Sequence, residues 1–307
     1  MTPPNPPSPG SLILRLGFRS ITGITPRKRG TTNKKSQKTP SQPGTQKKSS
    51  GFKKRSRNNL IKVINDLMIQ PELMLTLTYT DDVSHDPETW QRHLDNLRRT
   101  ISRKFPQSWW VWRVEPQEQT GKPHYHLVGS LGDTMSSDDF WHWLHPHWCR
   151  IIGVDPKNAQ FSTRVKAITT DMEKLSRYMT KHEDSNDYHG FGPAWEKLTN
   201  RWGIHGRNHA PVSPVGEYEA SPETVAEAKE LILGSIETQM NALREKLSDT
   251  TATNSRKDIH KMKQSISDKQ ALKNKITHLQ DWFGILDADH VEAIREYLEG
   301  RKKAGLL

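Results

Sequence analysis

Pro-His-Tyr-His-Leu-Val, residues 123–128, is the stretch on which the reading of this chain turns. Side chains of an extended strand alternate between faces, so His124 and His126 project together while Tyr125 and Leu127 point the other way. Two imidazoles on one face are half of a divalent-metal site. Just upstream, Trp109 to Glu115 reads as a partner strand joined through Gly121. On it Trp110, Trp112 and Val114 take the apolar face, which leaves Arg113 and Glu115 on the histidine face. Pairing Glu115 with His124 centres the hairpin between Gln119 and Thr120; pairing it with His126 centres it between Thr120 and Gly121. Both registers set a carboxylate beside the imidazoles. Glu118, the competing carboxylate, falls in the turn and is expected to stay in solvent.

The elements around this hairpin give the fold. Residues 73–79 alternate as a strand, with Leu73, Leu75 and Leu77 on one face and Thr76 and Thr78 on the other. Asp86-Pro87 is an N-cap followed by proline at the first helical position, and Trp90, Leu94, Leu97 and Ile101 carry that helix to about Lys104. Helices are expected at Ser137 to about Ile151 and Thr170 to about His182, with a strand at 159–166 between them. Leu60, Val63, Ile64 and Leu67 add a short amphipathic helix in front. The order β-α-β-β-α-β predicts an α+β fold, a four- to five-stranded antiparallel sheet of the split-βαβ, RNA-recognition-like type. Two helices would pack on one face and leave the other open for a site.

Charge divides the chain differently. Of 46 Lys and Arg, 15 precede residue 66 and no acid does; the remainder, 66–307, carries a net charge of −4. The basic, Pro- and Ser-rich segment 1–57 is therefore expected to be a disordered tail whose natural partner is a polyanion. The catalytic domain would span 58–212. From Ser221-Pro222 onward, Ile232, Ile236, Met240, Leu243 and Leu247 recur at helical spacing, so 213–307 reads as a helical C-terminal region. The single cysteine, Cys149, excludes a disulfide framework and points to a reducing compartment. The apolar run 11–16 is too short for a signal-peptide core or a membrane span, so a soluble, cytoplasmic protein is expected. No Gly-x-x-x-x-Gly-Lys-[Ser/Thr] occurs, which excludes a P-loop ATPase.

His142, His145, His147 and Cys149 suggest a metal cluster, but Phe140, Trp141, Trp143, Leu144 and Trp148 share the segment, and an aromatic packing helix is the better reading. Among ten tryptophans, Trp109 is the candidate for stacking on a base of single-stranded DNA. Tyr178 and Lys181 stand three residues apart, hence on one helical face, with Leu175 and Met179 as the buried stripe. A phenol with a pKa near 10 is a poor nucleophile, unless a metal polarises the phosphate and an ammonium favours the phenolate.

Leu-Thr-Leu-Thr at 75–78, Glu115, His-Tyr-His at 124–126 and Tyr-x-x-Lys at 178–181 stand in an order and spacing that resemble the three motifs of HUH endonucleases, the rolling-circle replication initiators. Arg201-Trp202-Gly203 resembles a segment that follows the tyrosine helix in initiators of filamentous phages and related plasmids. The resemblance covers about 70–210. It implies that Glu115, His124 and His126 hold Mg²⁺ or Mn²⁺. It also implies that Tyr178 attacks a phosphodiester of single-stranded DNA to leave a 5′-phosphotyrosine, and that Lys181 positions or neutralises the phosphate or phenolate. Position 182 is His rather than a second tyrosine, so the single-tyrosine type is implied, with Tyr188 a weak alternative nucleophile. Implied partners are single-stranded or supercoiled origin DNA and a host helicase and polymerase in the cytoplasm of a prokaryotic host, with room for a homo-oligomer. Two other readings compete: a single-tyrosine transposase of the same chemistry, and a non-catalytic single-stranded-DNA-binding protein.

Overall fold

The computed structural model describes residues 12–25, 52, 54–80, 86–117, 120–181, 193–198, 200–249, 256–278 and 281–307. In chain order the first elements are β1 (Leu12–Leu16), β2 (Ser20–Ile24), α1 (Lys54–Asn65), β3 (Leu73–Thr78), α2 (Pro87–Lys104), β4 (Trp109–Pro116), β5 (Pro123–Ser130) and α3 (Ser137–Ile152). They continue with β6 (Thr163–Ala167), α4 (Met172–Met179), α5 (Pro193–Lys197), β7 (Trp202–His205) and β8 (Gly216–Ala220). The last are α6 (Pro222–Ser248), α7 (Arg256–His278), β9 (Trp282–Ile285) and α8 (Ala288–Lys303). The fold is α+β, with two antiparallel sheets, and the chain divides into two compact units, 42–212 and 1–41 together with 213–307.

In the unit 42–212 the sheet order is β6-β3-β5-β4-β7. Alternation sends Leu75, Leu77, Trp110, Trp112, Val114, Tyr125 and Leu127 to one face, against Trp90, Leu94, Leu97 and Ile101 of α2 and Phe140, Leu144 and Trp148 of α3. Asp86 caps α2 as its sequence signature requires, accepting from the backbone N–H of Glu88 and Thr89. Gly153, at φ 78°, ends α3 in the left-handed conformation that glycine alone adopts without cost. The hairpin takes the register Glu115 opposite His124, with Arg113 opposite His126. Glu118, Tyr188 and His182 lie outside the described residues.

The opposite face is not open, a correction to the expected architecture. Its apolar half, Met74, Trp109, Val111 and Val128, is covered by Leu60, Ile64 and Leu67 at α1 and by Met172, Leu175 and Met179 of α4. Both helices are amphipathic and neither can bury its stripe on the face already filled by α2 and α3. Trp109 is thereby only 5% exposed, so it is a core residue and not a platform for bases. A fifth strand also joins the sheet: β7 pairs with β4, setting Gly203 opposite Trp112. A Cβ at Gly203 would come within 2.9 Å of the Trp112 indole, which explains the glycine of Arg201-Trp202-Gly203.

His205 on β7 is a pH-sensitive fastening of this unit. Its Nδ1 accepts from Arg98 Nε at 3.2 Å, and its Nε2 lies 2.7 Å from Ser102 Oγ. Burial, and then the Arg98 charge, depress its pKa to about 4. The unfolded chain therefore binds a proton at His205 below about pH 6.5 that the folded chain refuses until about pH 4. Stability from this group is complete above pH 6.5 and is lost as pH falls toward 4. Urea unfolding of the full chain at intervals across that window should show the decline, and His205→Gln should make it shallower.

The second unit overturns part of the reading of 1–57 as a disordered tail. Its sheet, β8-β1-β2-β9, takes in Leu12–Leu16 and Ser20–Ile24. Leu12, Leu14 and Leu16 alternate inward against Val225, Ile232 and Ile236 of α6 and Val291, Ile294 and Leu298 of α8. The five-residue run LILRL is a strand whose partners, Gly216–Ala220 and Trp282–Ile285 through β2, lie some two hundred residues on, so the composition of its surroundings hid it. The C-terminal region is accordingly helical with strands, not helical alone.

Candidate active site

Along the α1–α4 face of the larger sheet, apolar residues give way to polar ones toward one end of the strands. Two rows hold the polar set. Arg164, Thr76, His126 and Arg113 lie side by side across β6, β3, β5 and β4, and Thr78, His124 and Glu115 form the next row. The His124 and His126 rings meet edge to face, 4.6 Å between centroids. His124 Nδ1 lies 3.0 Å from Thr78 Oγ1, so the second threonine of Leu-Thr-Leu-Thr orients the first histidine.

Tyr178 comes to this row from α4. Its hydroxyl lies 3.1 Å from His126 Nδ1, and His126 Nε2 lies 2.8 Å from Glu115 Oε1. With the phenol donating to Nδ1, the neutral imidazole carries its proton on Nε2 and donates it to the carboxylate. Tyr178 is 46% exposed, so its oxygen is within reach of a ligand from solvent. Its pKa is raised by burial and then by Glu115, an effect opposed by Arg113 and Arg164. The phenol is thus protonated at neutral pH, and its proton already faces an acceptor.

Arg113 is the residue whose part the sequence did not reveal. It is 1% exposed, pairs with Glu115 Oε2 at 3.1 Å through Nη2 and donates from Nη1 to Met179 O at 3.0 Å. One guanidinium therefore holds both the carboxylate and the carbonyl end of the tyrosine helix. Arg57 of α1 donates to the next carbonyl, Thr180 O, at 2.7 Å. Asn65 of α1 donates to Ser176 Oγ, so α4 is clamped along its length. A charged residue on a strand reads by pattern as a solvated position; only the packing of α1 and α4 over it shows otherwise.

Lys181 sits differently from the expectation. α4 ends at Met179 with Thr180 as its cap, so Lys181 lies beyond the helix, exposed, and not on a shared helical face with Tyr178. The cations that act on the Tyr178 hydroxyl are Arg113 and Arg164. The histidine segment of α3 is structural. His145 bonds Thr163 Oγ1 and stacks on Trp141, and His147 stacks on Trp143.

His124, His126 and Glu115 form the candidate donor set for a divalent cation. Among the described residues no group of three or more His, Cys, Asp or Glu is already arranged around an ion position. The chemistry of the donors nonetheless fits one. Burial, and then the neighbouring His126, depress the pKa of His124 to about 4, which keeps its imidazole neutral and able to ligate. His126 Nε2 and Glu115 Oε1 already face each other, and a cation would take the place of the proton between them.

Residues 72–183 match a family model for replication-associated proteins of the ORF2 type. This segment runs from the start of β3 past the end of α4 and contains Glu115, His124, His126, Tyr178 and Lys181. It is similar to a replication-initiator family over a little more than a third of the chain. No curated protein and no solved structure matches the chain. No helix among the described residues is long and apolar enough to cross a membrane.

Proposed function

We propose that this chain initiates rolling-circle replication of a phage or plasmid by nicking and rejoining single-stranded origin DNA, with Tyr178 as the nucleophile. The observation that carries the reading is the Tyr178 hydroxyl 3.1 Å from His126, in one cluster with His124 and Glu115. Tyr178 Oη forms a bond to the scissile phosphorus while its proton passes to His126 Nδ1, and Glu115 steadies the resulting imidazolium. The bond from phosphorus to the 3′ oxygen breaks, that oxygen takes up a proton, and a free 3′-OH primer is left. The 5′ phosphate stays on Tyr178, and the reverse reaction rejoins a strand. Arg113 fixes Tyr178 and Glu115 relative to each other, and Arg164 and the exposed Lys181 add positive charge for the phosphate.

His124, His126 and Glu115 would hold Mg²⁺ or Mn²⁺, which when bound polarises a phosphate oxygen. Extension from the 3′-OH needs a polymerase and strand opening a helicase, both from the host. Incubating the full chain with origin single strands and Mn²⁺, then separating under denaturing conditions, tests the reading through a covalent protein–DNA adduct. Chelation should abolish the adduct and added Mn²⁺ or Mg²⁺ restore it. His124→Ala should raise the metal concentration needed by at least about tenfold. A non-catalytic binder would shift the DNA yet leave no adduct with any metal, and that result overturns the proposal.

A further inference from the structure

Phe161 is 95% exposed, yet it is held on a fixed turn. Residues 160–162 form a 3-10 turn directly before β6, where the sequence suggested continuous strand. Its flanks, Ala159 and Ser162, are each 3% exposed. α3 pins the turn from beneath: Trp141 Nε1 donates to Thr163 O at 3.2 Å, and His145 bonds Thr163 Oγ1 at 2.8 Å. His145 Nε2 also lies 3.2 Å from Pro156 O, and Cys149 Sγ lies 3.6 Å from Ser162 Oγ. The histidine–cysteine segment that resembled a metal cluster thus serves to hold this turn. A phenyl ring that folding could have buried is instead presented to solvent on a rigid support.

Its neighbours give the ring a partner. Arg164, three residues on, is exposed in the row of His126 and Arg113, and its charge acts on the Tyr178 hydroxyl. Lys166, also exposed, is next along the same face of the strand. An exposed aromatic ring beside cations that lead to a phosphodiester site is the composition that binds single strands, by stacking on bases and neutralising phosphates.

We infer that Phe161 is a base-stacking platform for single-stranded DNA flanking the scissile phosphate, with Arg164 and Lys166 gripping the backbone between platform and Tyr178. The inference rests on the reading of the Tyr178 cluster as a DNA-nicking site. It replaces Trp109, which is buried, in the stacking role. The test uses the full chain, a labelled oligothymidylate and an abasic oligomer of the same length, with affinity read by fluorescence anisotropy. Phe161→Ala and Phe161→Leu should weaken oligothymidylate binding by about 5- to 150-fold, and Phe161→Trp should retain it. On the abasic strand, Phe161→Ala and wild type should bind alike. Arg164→Gln should lower the slope of log affinity against log salt by about 0.7, and Phe161→Ala should leave that slope unchanged. Equal binding of oligothymidylate by Phe161→Ala and wild type, rescue by leucine, or equal loss on both strands overturns the platform. Adduct formation by wild type is scored separately. Its absence removes the nicking reading, while a wild-type adduct with no Phe161 effect removes the platform alone.

Discussion

Tyr178→Phe is expected to abolish covalent attachment to DNA, a loss of at least about four orders of magnitude in adduct formation, while the protein still folds and binds the strand. The substitution removes one oxygen and nothing else. That oxygen makes a single contact of 3.1 Å to His126 on a side chain that is 46% exposed, so the stability change should stay near about 1 kcal/mol. A large kinetic effect beside a small thermal one separates a nucleophile from a packed tyrosine. The control is denaturing electrophoresis of wild type and variant on the same strand with Mn²⁺, alongside melting of each. An adduct that persists in Tyr178→Phe would leave phosphodiester transfer standing and remove this assignment. A variant that fails to melt cooperatively would show Tyr178 to be a structural residue.

The features that could be read from sequence are the ones set by local periodicity. Strand alternation fixed which side of β5 carries His124 and His126 and which side of β4 carries Glu115, because a period of two needs no knowledge of distant partners. The same parity put Trp109 and Arg113 on the site face, correctly, but could not say what covers it. Burial of Trp109 and Arg113 comes from α1 and α4, and docking of those helices is a tertiary event that no local pattern records. The end of α4 escaped for another reason. No Gly or Pro marks it, and Thr180 stops the helix where Arg113 and Arg57 take its last carbonyls. β1 and β2 escaped because short apolar strands inside a basic segment look like noise until their partners, late in the chain, are brought beside them.

Arg113 should prove nearly as sensitive as the nucleophile, through positioning alone. Arg113→Met leaves Glu115 without its ion pair and Met179 O without its donor. Breaking such a pair costs about 3 kcal/mol when one partner is buried and the other, as here, 23% exposed. That loss alone could reduce activity by unfolding, so the informative variant is Arg113→Lys. Lysine preserves the charge that balances Glu115, but its single ammonium cannot span the carboxylate and the helix carbonyl as the guanidinium fork does. Losing one charge-assisted hydrogen bond is worth about 1.5–3 kcal/mol, so adduct formation should slow by about 10- to 100-fold in a folded protein. Arg57→Gln supplies the comparison, because Arg57 holds the same helix end through Thr180 O and has no bond to Glu115. Both variants should slow the reaction by loosening Tyr178. Only Arg113→Lys should also raise the Mn²⁺ concentration needed for half-maximal rate, by about tenfold or more, since only it frees Glu115 to turn away from the histidines. Equal metal dependence in the two variants would confine Arg113 to clamping α4. A shift confined to Arg113→Lys would show one guanidinium setting the nucleophile and the carboxylate together.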